Sequence, residues 1–173
     1  MFEDVDIVLF CVSLIDYDEF SEDKNGVLIN KMIASRQLFE RTATHPTFQE
    51  KKFLLILNKF DLLEEKIEQV PLTQCEWFDD FNPVIGYNPN SSRSTSPSLA
   101  HRAFQYIAVK FKRLFKDLTD RKLYVSPATT GLEPDNVDEA LKYAREVLKW
   151  KQEEPNYLNN ELSSTSVEAS SSS

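Results

Sequence analysis

Glycine is scarce in this 173-residue sequence, which contains only Gly26, Gly86 and Gly131. A phosphate-binding loop of the Gly-x-x-x-x-Gly-Lys-Ser/Thr type needs two nearby glycines, because its backbone must closely approach the phosphate groups. No two of these glycines lie near each other along the chain. The sequence therefore excludes a phosphate loop of this type within its 173 residues.

Cysteine and histidine are also sparse. Cys11 and Cys75 lie far apart and form no Cys-x-x-Cys pair, which argues against a zinc site or a disulfide framework and favours a reducing compartment. His45 and His101 have no cysteine or carboxylate at a spacing typical of a catalytic set. We therefore expect both histidines at the surface, and we nominate no metal ligand and no catalytic residue.

Positive charge and long apolar runs are limited as well. The net charge of −8 argues against a nucleic-acid-binding surface. The basic residues between Lys110 and Lys116 have helical spacing, and we interpret them as a solvated helix face. The apolar stretch 7–15 is too short to span a bilayer, and the acidic residues before it are unlike a signal peptide. We expect no transmembrane segment.

Hydrophobic periodicity predicts the element order βαβαβα. The expected strands are residues 5–14, 53–57 and 123–125, and the expected helices are 27–43, 61–68, one from Leu99 capped at Ser96-Pro97, and one from Pro134 or Asp135. The apolar positions of the last two helices are expected at Ala103, Tyr106, Ile107, Phe111, Leu114 and Leu118, and at Val137, Leu141, Ala144 and Leu148. This order is typical of parallel strands joined by right-handed crossovers, so the predicted fold class is α/β.

The remaining segments are interpreted as connections. Residues 16–25 are acidic and polar and are expected to form a loop, whereas residues 70–98 are rich in Pro, Ser and Asn and are expected to form an exposed connection. The composition changes to Ser, Asn and Glu after Pro155. We therefore predict one domain at 1–154 and a disordered Ser-rich tail at 155–173.

The apolar run 53–57 ends in the tetrad Asn58-Lys59-Phe60-Asp61. Ligands of parallel sheets bind beyond the carboxyl ends of the strands, which is where this tetrad is expected. The Asp61 carboxylate can accept hydrogen bonds from the ring N–H and the exocyclic amine of guanine, whereas adenine offers the reverse pattern. The Lys59 stem can lie along the ring, and Asn58 can bond the base and hold the loop. The tetrad therefore suggests a guanine site.

A structural interpretation of the same residues is equally open. Residues 61–64 read Asp-Leu-Leu-Glu, the pattern of a helix start in which Asp61 caps the helix and Glu64 reaches back to it. Taken alone, the tetrad is equally compatible with a guanine site and with a capped helix.

A longer match extends beyond the tetrad. The chain resembles the C-terminal half of a heterotrimeric G-protein α subunit at the strand within 2–14, at residues 57–67 (LNKFDLLEEKI) and at Pro71-Leu72-Thr73. Residues 77–83 (WFDDFNP), the helix from His101, residues 143–146 (YARE) and the Ser-rich end are most similar to the plant extra-large G proteins. The resemblance covers about residues 2–154. The resemblance implies a partial P-loop-GTPase-like parallel sheet, with the last three strands and their flanking helices present and the N-terminal half of the fold absent.

The resemblance also implies site residues and a ligand. Asn58, Lys59 and Asp61 correspond to the guanine-specificity motif, and Ala128 corresponds to the residue whose backbone N–H meets the guanine carbonyl oxygen. The implied ligand is GTP or GDP, bound weakly or not at all by this chain. Magnesium belongs to full-length relatives, whose phosphate loop, metal ligands and catalytic residues have no counterpart here. We therefore expect no GTPase activity from this chain alone.

Two functions follow from these observations. The first is a guanine nucleotide-binding, G-protein α-like signalling protein in truncated form, with a βγ dimer and receptor-type proteins as partners implied by the resemblance. Its implied location is intracellular, at the cytoplasm, the nucleus or the plasma-membrane periphery. The alternative is a non-catalytic interaction module that competes for βγ or other partners through residues 70–97 and the last helix.

Overall fold

The computed structural model describes residues 5–83, 97–127 and 134–149. The predicted tail at 155–173, Ala128 and much of the predicted 70–98 connection lie outside the described residues. The helices and strands, in chain order, are β1 Ile7–Ser13, β2 Phe20–Glu22, β3 Leu28–Asn30, α1 Lys31–Ala43, β4 Lys52–Asn58, α2 Phe60–Lys66, α3 Leu99–Thr119, β5 Leu123–Val125 and α4 Pro134–Lys149. Short 3-10 turns lie at Asp16–Asp18, Pro46–Phe48, Leu72–Gln74 and Glu76–Phe78.

The main sheet has three parallel strands in the order β1-β4-β5. This arrangement confirms the predicted α/β class. Strand β4 lies in the middle, with Ile7 opposite Lys52 at one end and Ser13 opposite Asn58 at the other. All three strands therefore end at one common edge, which we call the carboxyl edge; their starts form the amino edge.

An aromatic cluster joins the sheet to α1 and α3. Phe39 of α1 is fully buried and contacts rings from two strands and from α3, with centroid distances of 5.0 Å to Phe10, 6.4 Å to Phe53, 5.2 Å to Phe111 and 5.9 Å to Phe115. Most of these pairs meet edge to face, the arrangement that the ring quadrupoles favour. The cluster fixes α1 and α3 against the same face of the sheet.

Helix α4 contacts β4, and Lys52 Nζ donates a hydrogen bond to the Val147 carbonyl at 2.8 Å. Because side chains alternate along a strand, Leu54 points to the face opposite Phe53, and Leu54 is fully buried. On β1, by contrast, Leu9 is 40% exposed and Cys11 is exposed. The α4 side of the sheet is thus open over β1 in the described part of the chain.

The prediction of a loop at 16–25 followed by a helix from residue 27 was wrong. Strands β2 and β3 form a small antiparallel hairpin in this region. Its turn is held by Asp23 Oδ1, which accepts the N–H groups of Asn25 (2.8 Å) and Val27 (2.9 Å), while Gly26 supplies a φ of 76°. Helix α1 starts later because Asn30 Oδ1 caps it.

The predicted helix faces needed further corrections. Ser98, not Ser96, caps α3, since its Oγ accepts the His101 N–H at 3.2 Å. In α3, Leu118 is exposed and Phe115 is buried instead. In α4, Val137 and Leu141 are exposed, and the buried side chains are Ala140, Ala144 and Val147. The predicted and observed stripes share the helical period, so periodicity alone could not choose between two adjacent faces.

Arg121 ties together three segments at the amino edge. Its guanidinium donates to the carbonyls of Ala43 (3.4 Å), Phe48 (3.2 Å) and Lys51 (2.8 Å), and it lies over the rings of Phe53 (5.5 Å) and Phe115 (5.2 Å). Several donors in a rigid fork make arginine suited to binding carbonyls that converge from different segments. Arg121 therefore links the ends of α1 and α3 to the start of β4.

We expect Arg121→Ala to lower the free energy of unfolding by about 2–4 kcal/mol, since three part-buried carbonyls lose a charged donor and two rings lose their cation. Urea denaturation measures this loss. Lys112→Ala is the control, because Lys112 is exposed and its removal should change stability by less than about 0.5 kcal/mol. Equal losses in the two variants would contradict this role for Arg121.

Candidate functional site

The tetrad lies at the carboxyl edge, as predicted. Asn58 is the last residue of β4, and Ser13, the last residue of β1, lies opposite it in the register. Strand β5 ends at Val125 beside Leu55, and Ser126 follows it. The ends of three parallel strands thus surround one place, the usual position of a ligand site in an open α/β sheet.

Lys59 has a left-handed backbone, with a φ of 64° and a ψ of 43°. Residues with a side chain adopt this region at a cost, and such outliers persist where the surroundings enforce them, often at functional sites. Asn58 Oδ1 accepts the Lys59 N–H at 2.7 Å, and the Asn58 carbonyl accepts the Leu14 N–H at 2.9 Å. Asn58 thus holds the turn, as predicted for its side chain.

Asp61 does not cap helix α2. The N-cap position is Lys59, no side chain caps the helix, and Asp61 lies in its first turn. Its Oδ1 atom is buried and has no hydrogen-bond partner among the described residues. A buried polar atom without a partner costs about 1–3 kcal/mol. The predicted capping role is therefore wrong, and Asp61 carries an unused acceptor at the carboxyl edge.

Helix α2 is held at both ends. Phe60 is buried and packs edge to face on His101 (4.8 Å between ring centroids) and Phe104 (5.9 Å), so α3 supports the start of α2. At the other end, Lys66 Nζ donates to the Ile15 carbonyl at 2.9 Å and forms an ion pair with Asp18 at 2.5 Å. The short helix is thereby fixed between α3 and the segment after β1.

His101 is exposed, as expected, but its ring also takes part in this support. Its Nδ1 lies 3.0 Å from Ser98 Oγ, at the start of α3. The sequence offered no signal for this contact, because Phe60 and His101 are far apart along the chain.

The segment after β5 is partly described. The Ser126 N–H donates to the Leu55 carbonyl at 3.0 Å, and Ser126 Oγ donates to the Pro127 carbonyl at 3.0 Å. Pro127 has no N–H, so neither residue has a backbone donor left for a ligand. Ala128, the candidate donor, lies outside the described residues.

Sequence reasoning missed one further polar atom. Ser13 Oγ is buried and lacks a hydrogen-bond partner in the described part of the protein, and Ser13 lies beside Asn58 in the sheet. A polar residue at the end of a buried strand was the available signal. Two unpartnered polar atoms, Ser13 Oγ and Asp61 Oδ1, are therefore found near the carboxyl edge.

Neither metal binding nor membrane spanning has support in the described residues. No group of three or more His, Cys, Asp or Glu side chains is arranged to hold a metal ion. No helix in residues 5–83, 97–127 and 134–149 is long and apolar enough to cross a membrane.

Comparison with known proteins gives a consistent family assignment. A sequence model described as "G-protein alpha subunit" matches residues 1–148. The chain is 54% identical over its whole length to extra-large guanine nucleotide-binding protein 2 of Arabidopsis thaliana, covering 21% of that protein. It is 51% identical over 99% of its length to extra-large protein 1 of the same plant, covering 19% of it. The alpha-1 subunit of Glycine max is 34% identical over 86% of the chain, which covers 37% of that subunit.

The chain therefore spans about a fifth of the length of the two extra-large relatives and 37% of the Glycine max subunit.

We expect Asp61→Ala to leave the free energy of unfolding unchanged or to raise it by up to about 1–3 kcal/mol, because Asp61 caps nothing and the substitution removes a buried acceptor that has no partner. Asn30→Ala is the matched control: Asn30 Oδ1 accepts the N–H groups of Met32 (2.9 Å) and Ile33 (3.1 Å), so its loss should cost about 1 kcal/mol or more. Urea denaturation compares the two. A loss for Asp61→Ala as large as that for Asn30→Ala would restore the capping role.

The buried side chain of Tyr17 makes the stability of the protein depend on pH in the alkaline range. Its side chain is buried and its hydroxyl donates to the Val70 carbonyl at 2.7 Å. Burial, followed by the negative charge of Asp18, raises the pKa of Tyr17 to about 12. Since tyrosine in the unfolded chain ionises near a pKa of about 10, the folded state binds the proton more tightly.

The contribution of Tyr17 to stability is therefore present below about pH 10 and is lost as the pH rises toward about 12. We expect Tyr17→Phe to be less stable at neutral pH by about 1 kcal/mol, with a shallower decline in stability across this alkaline range. Urea denaturation at a series of pH values tests this, and parallel curves for the two proteins would contradict it.

Proposed function

The chain belongs to the G-protein alpha subunit family, and on that premise we propose that Asn58, Lys59 and Asp61 recognise the guanine base of GTP or GDP. The proposal makes the chain part of a guanine nucleotide-binding signalling protein. The observation that carries it is the buried, unpaired Asp61 Oδ1 at the carboxyl edge of the sheet.

Guanine matches the chemistry of this atom. A carboxylate accepts hydrogen bonds, and guanine presents two neighbouring donors, its ring N–H and its exocyclic amine. Adenine presents an acceptor where guanine has the N–H, so it would leave the carboxylate unpaired. Such a mismatch in a site built for hydrogen bonding can reduce binding by about 10⁴-fold.

The other residues have supporting roles in this proposal. The left-handed turn at Lys59 lets its aliphatic stem lie along the base, and the bond from the Lys59 N–H to Asn58 Oδ1 holds the turn. Ala128 is the proposed donor to the guanine carbonyl oxygen. Support for this role comes from the preceding residues, since the Ser126 N–H is already used and Pro127 has none.

We also propose that residues 1–154 form the C-terminal portion of a Gα-like GTPase domain and that 155–173 is its Ser-rich tail. The three strands would then be the last three of the domain's sheet. The exposed Leu9 and Cys11 on β1 support this, because parallel sheets are normally covered on both faces and further elements of such a domain would cover them.

In this proposal, phosphate binding, magnesium binding and hydrolysis belong to parts of the protein that are not among these 173 residues. Phosphoryl transfer relies on positioning and charge neutralisation by a phosphate loop and metal ligands, and the sequence has no such loop. The proposed partners of the whole protein are a G-protein βγ dimer and receptor-type proteins, and its proposed location is the cytoplasm, the nucleus or the plasma-membrane periphery.

We expect this 173-residue chain to bind GDP more weakly than about 1 μM, because base contacts give specificity whereas phosphate contacts supply most of the affinity. NMR titration with GDP, and with ADP as the comparison, measures both affinity and base preference. We expect GDP, but not ADP, to shift the NMR signals of residues 58–61. Nanomolar GDP binding by the isolated chain would contradict the proposal that phosphate binding lies outside these 173 residues. Equal binding of ADP would contradict the guanine assignment.

We expect Asp61→Asn to shift the preference from guanosine to xanthosine diphosphate by at least about tenfold, since an amide donor pairs with the xanthine oxygen that replaces the guanine amine. Glu64→Gln is the matched control, because it neutralises an exposed carboxylate on the same helix and should keep the guanine preference. The same titration measures both variants. An unchanged preference for guanosine diphosphate in Asp61→Asn would show that Asp61 does not contact the base.

A further inference from the structure

Charge is unevenly distributed in this protein. Residues 97–127 contain seven Lys or Arg and two Asp or Glu, a net charge of +5, whereas the whole chain carries −8. Residues 16–23, by contrast, contain five acidic residues and no basic one. The helix α3 and β5 region is therefore a basic part of an acidic protein.

The positive side chains of this region gather toward the C-terminal end of α3. Lys112, Arg113 and Lys116 are exposed, and their spacing of three and four places them on one outward face. Lys122 is exposed just beyond the helix. We call these four residues the basic end of α3.

The basic end lies at the amino edge of the sheet, away from the proposed guanine site. Helix α3 starts near the carboxyl edge, where His101 contacts Phe60. It ends near the amino edge, where Arg121 bonds the Lys51 carbonyl just before β4. Because β4 has seven residues, the two edges are separated by about 20 Å.

A shallow groove of about 450 Å³ lies beside Lys112, Lys116 and Lys122 of the basic end. Its lining consists of Lys112, Lys116, Asp120, Arg121, Lys122 and Leu123. Lys116 forms an ion pair with Asp120, and Arg121 is used by the carbonyls of other segments. For Lys112 and Arg113 no ion pair is found with any carboxylate of the described residues. The groove thus offers more positive charge than its single carboxylate can neutralise.

We propose that the basic end of α3 binds an anionic lipid surface through lipid phosphate groups. The four cations project from the outside of a helix and the turn after it, rather than into a pocket shaped for one peptide. A lipid surface is broad and its headgroups rearrange, so it can meet all four cations at once. Clusters of four or more Lys and Arg are typical of such contacts.

The exposed apolar side chain of Val109 adds to this surface. It is 41% exposed and lies on the same outward face, three and four positions before Lys112 and Arg113. An apolar side chain among cations suits the boundary between lipid headgroups and acyl chains.

The net charge of −8 does not oppose this proposal. At physiological ionic strength the Debye length is about 8 Å. The acidic residues near the carboxyl edge lie more than twice that distance from the basic end, so their repulsion is screened. The local charge at the amino edge therefore decides whether the protein approaches an anionic surface.

The test is vesicle co-sedimentation of the full 173-residue chain. We expect binding to phosphatidylcholine vesicles that contain about 30% phosphatidylserine, no binding to pure phosphatidylcholine, and loss of binding as salt rises from about 0.1 M to about 0.5 M. Each cation near such a surface contributes about fivefold to binding. The double variant Lys112→Gln/Lys116→Gln should therefore bind about 30-fold more weakly.

The matched control is Lys24→Gln/Lys142→Gln, which removes the same charge from exposed positions on the hairpin turn and α4. It should bind like the unmodified chain. Circular dichroism and urea midpoints establish that both double variants remain folded, as expected for exposed substitutions.

Three results would overturn the proposal. The first is that the unmodified, folded chain does not bind anionic vesicles. The second is that both double variants lose vesicle binding equally, which would show that net charge alone determines the binding. The third is binding of a poly-glutamate peptide or an oligonucleotide in place of vesicles, which would assign the surface to another class of partner. Vesicle binding does not depend on guanine recognition, so the outcome is separate from the nucleotide titrations.

Discussion

Burial of β4 on both faces is the constraint on which the rest of the structure depends. Phe53, Leu55 and Leu57 pack toward α1 and α3, whereas Leu54 is buried on the side where α4 lies. A strand covered in this way cannot shift its register by one residue without turning large side chains to the wrong face. Its end is therefore fixed, and so is the position of Asn58, where the proposed guanine site starts.

The sequence predicted this part of the fold well because hydrophobic pattern and position agree there. The run 53–57 contains no polar residue, which is typical of a strand buried on both faces. The hairpin β2–β3 was missed for the opposite reason. Its residues Phe20 and Leu28 are exposed, so the pattern of burial that normally reveals a strand is absent there. Turn chemistry at Asp23 and Gly26, rather than burial, holds the hairpin.

The candidate site was also predicted only in part. The tetrad and its place at the carboxyl edge could be predicted, because strand order and residue chemistry are properties of the sequence. Whether Asp61 caps the helix or keeps a free carboxylate could not be predicted, since both roles use the same residues. It was decided by the backbone at Lys59, which moves the N-cap position two residues before Asp61. The support of Phe60 by His101 depends on tertiary packing that no local pattern encodes.

The two proposed surfaces lie at opposite edges of one sheet, and the parallel fold explains why this is possible. Each crossover helix runs back from the carboxyl edge to the amino edge, so α3 starts beside the tetrad and its basic end lies at the amino edge. The first turn of α2 carries the acceptor Asp61, and the far end of α3 carries Lys112, Arg113 and Lys116. A protein held at a lipid surface by its amino edge would keep the carboxyl edge directed away from the lipid and open to nucleotide. The rigid aromatic packing around Phe39 would keep that orientation fixed.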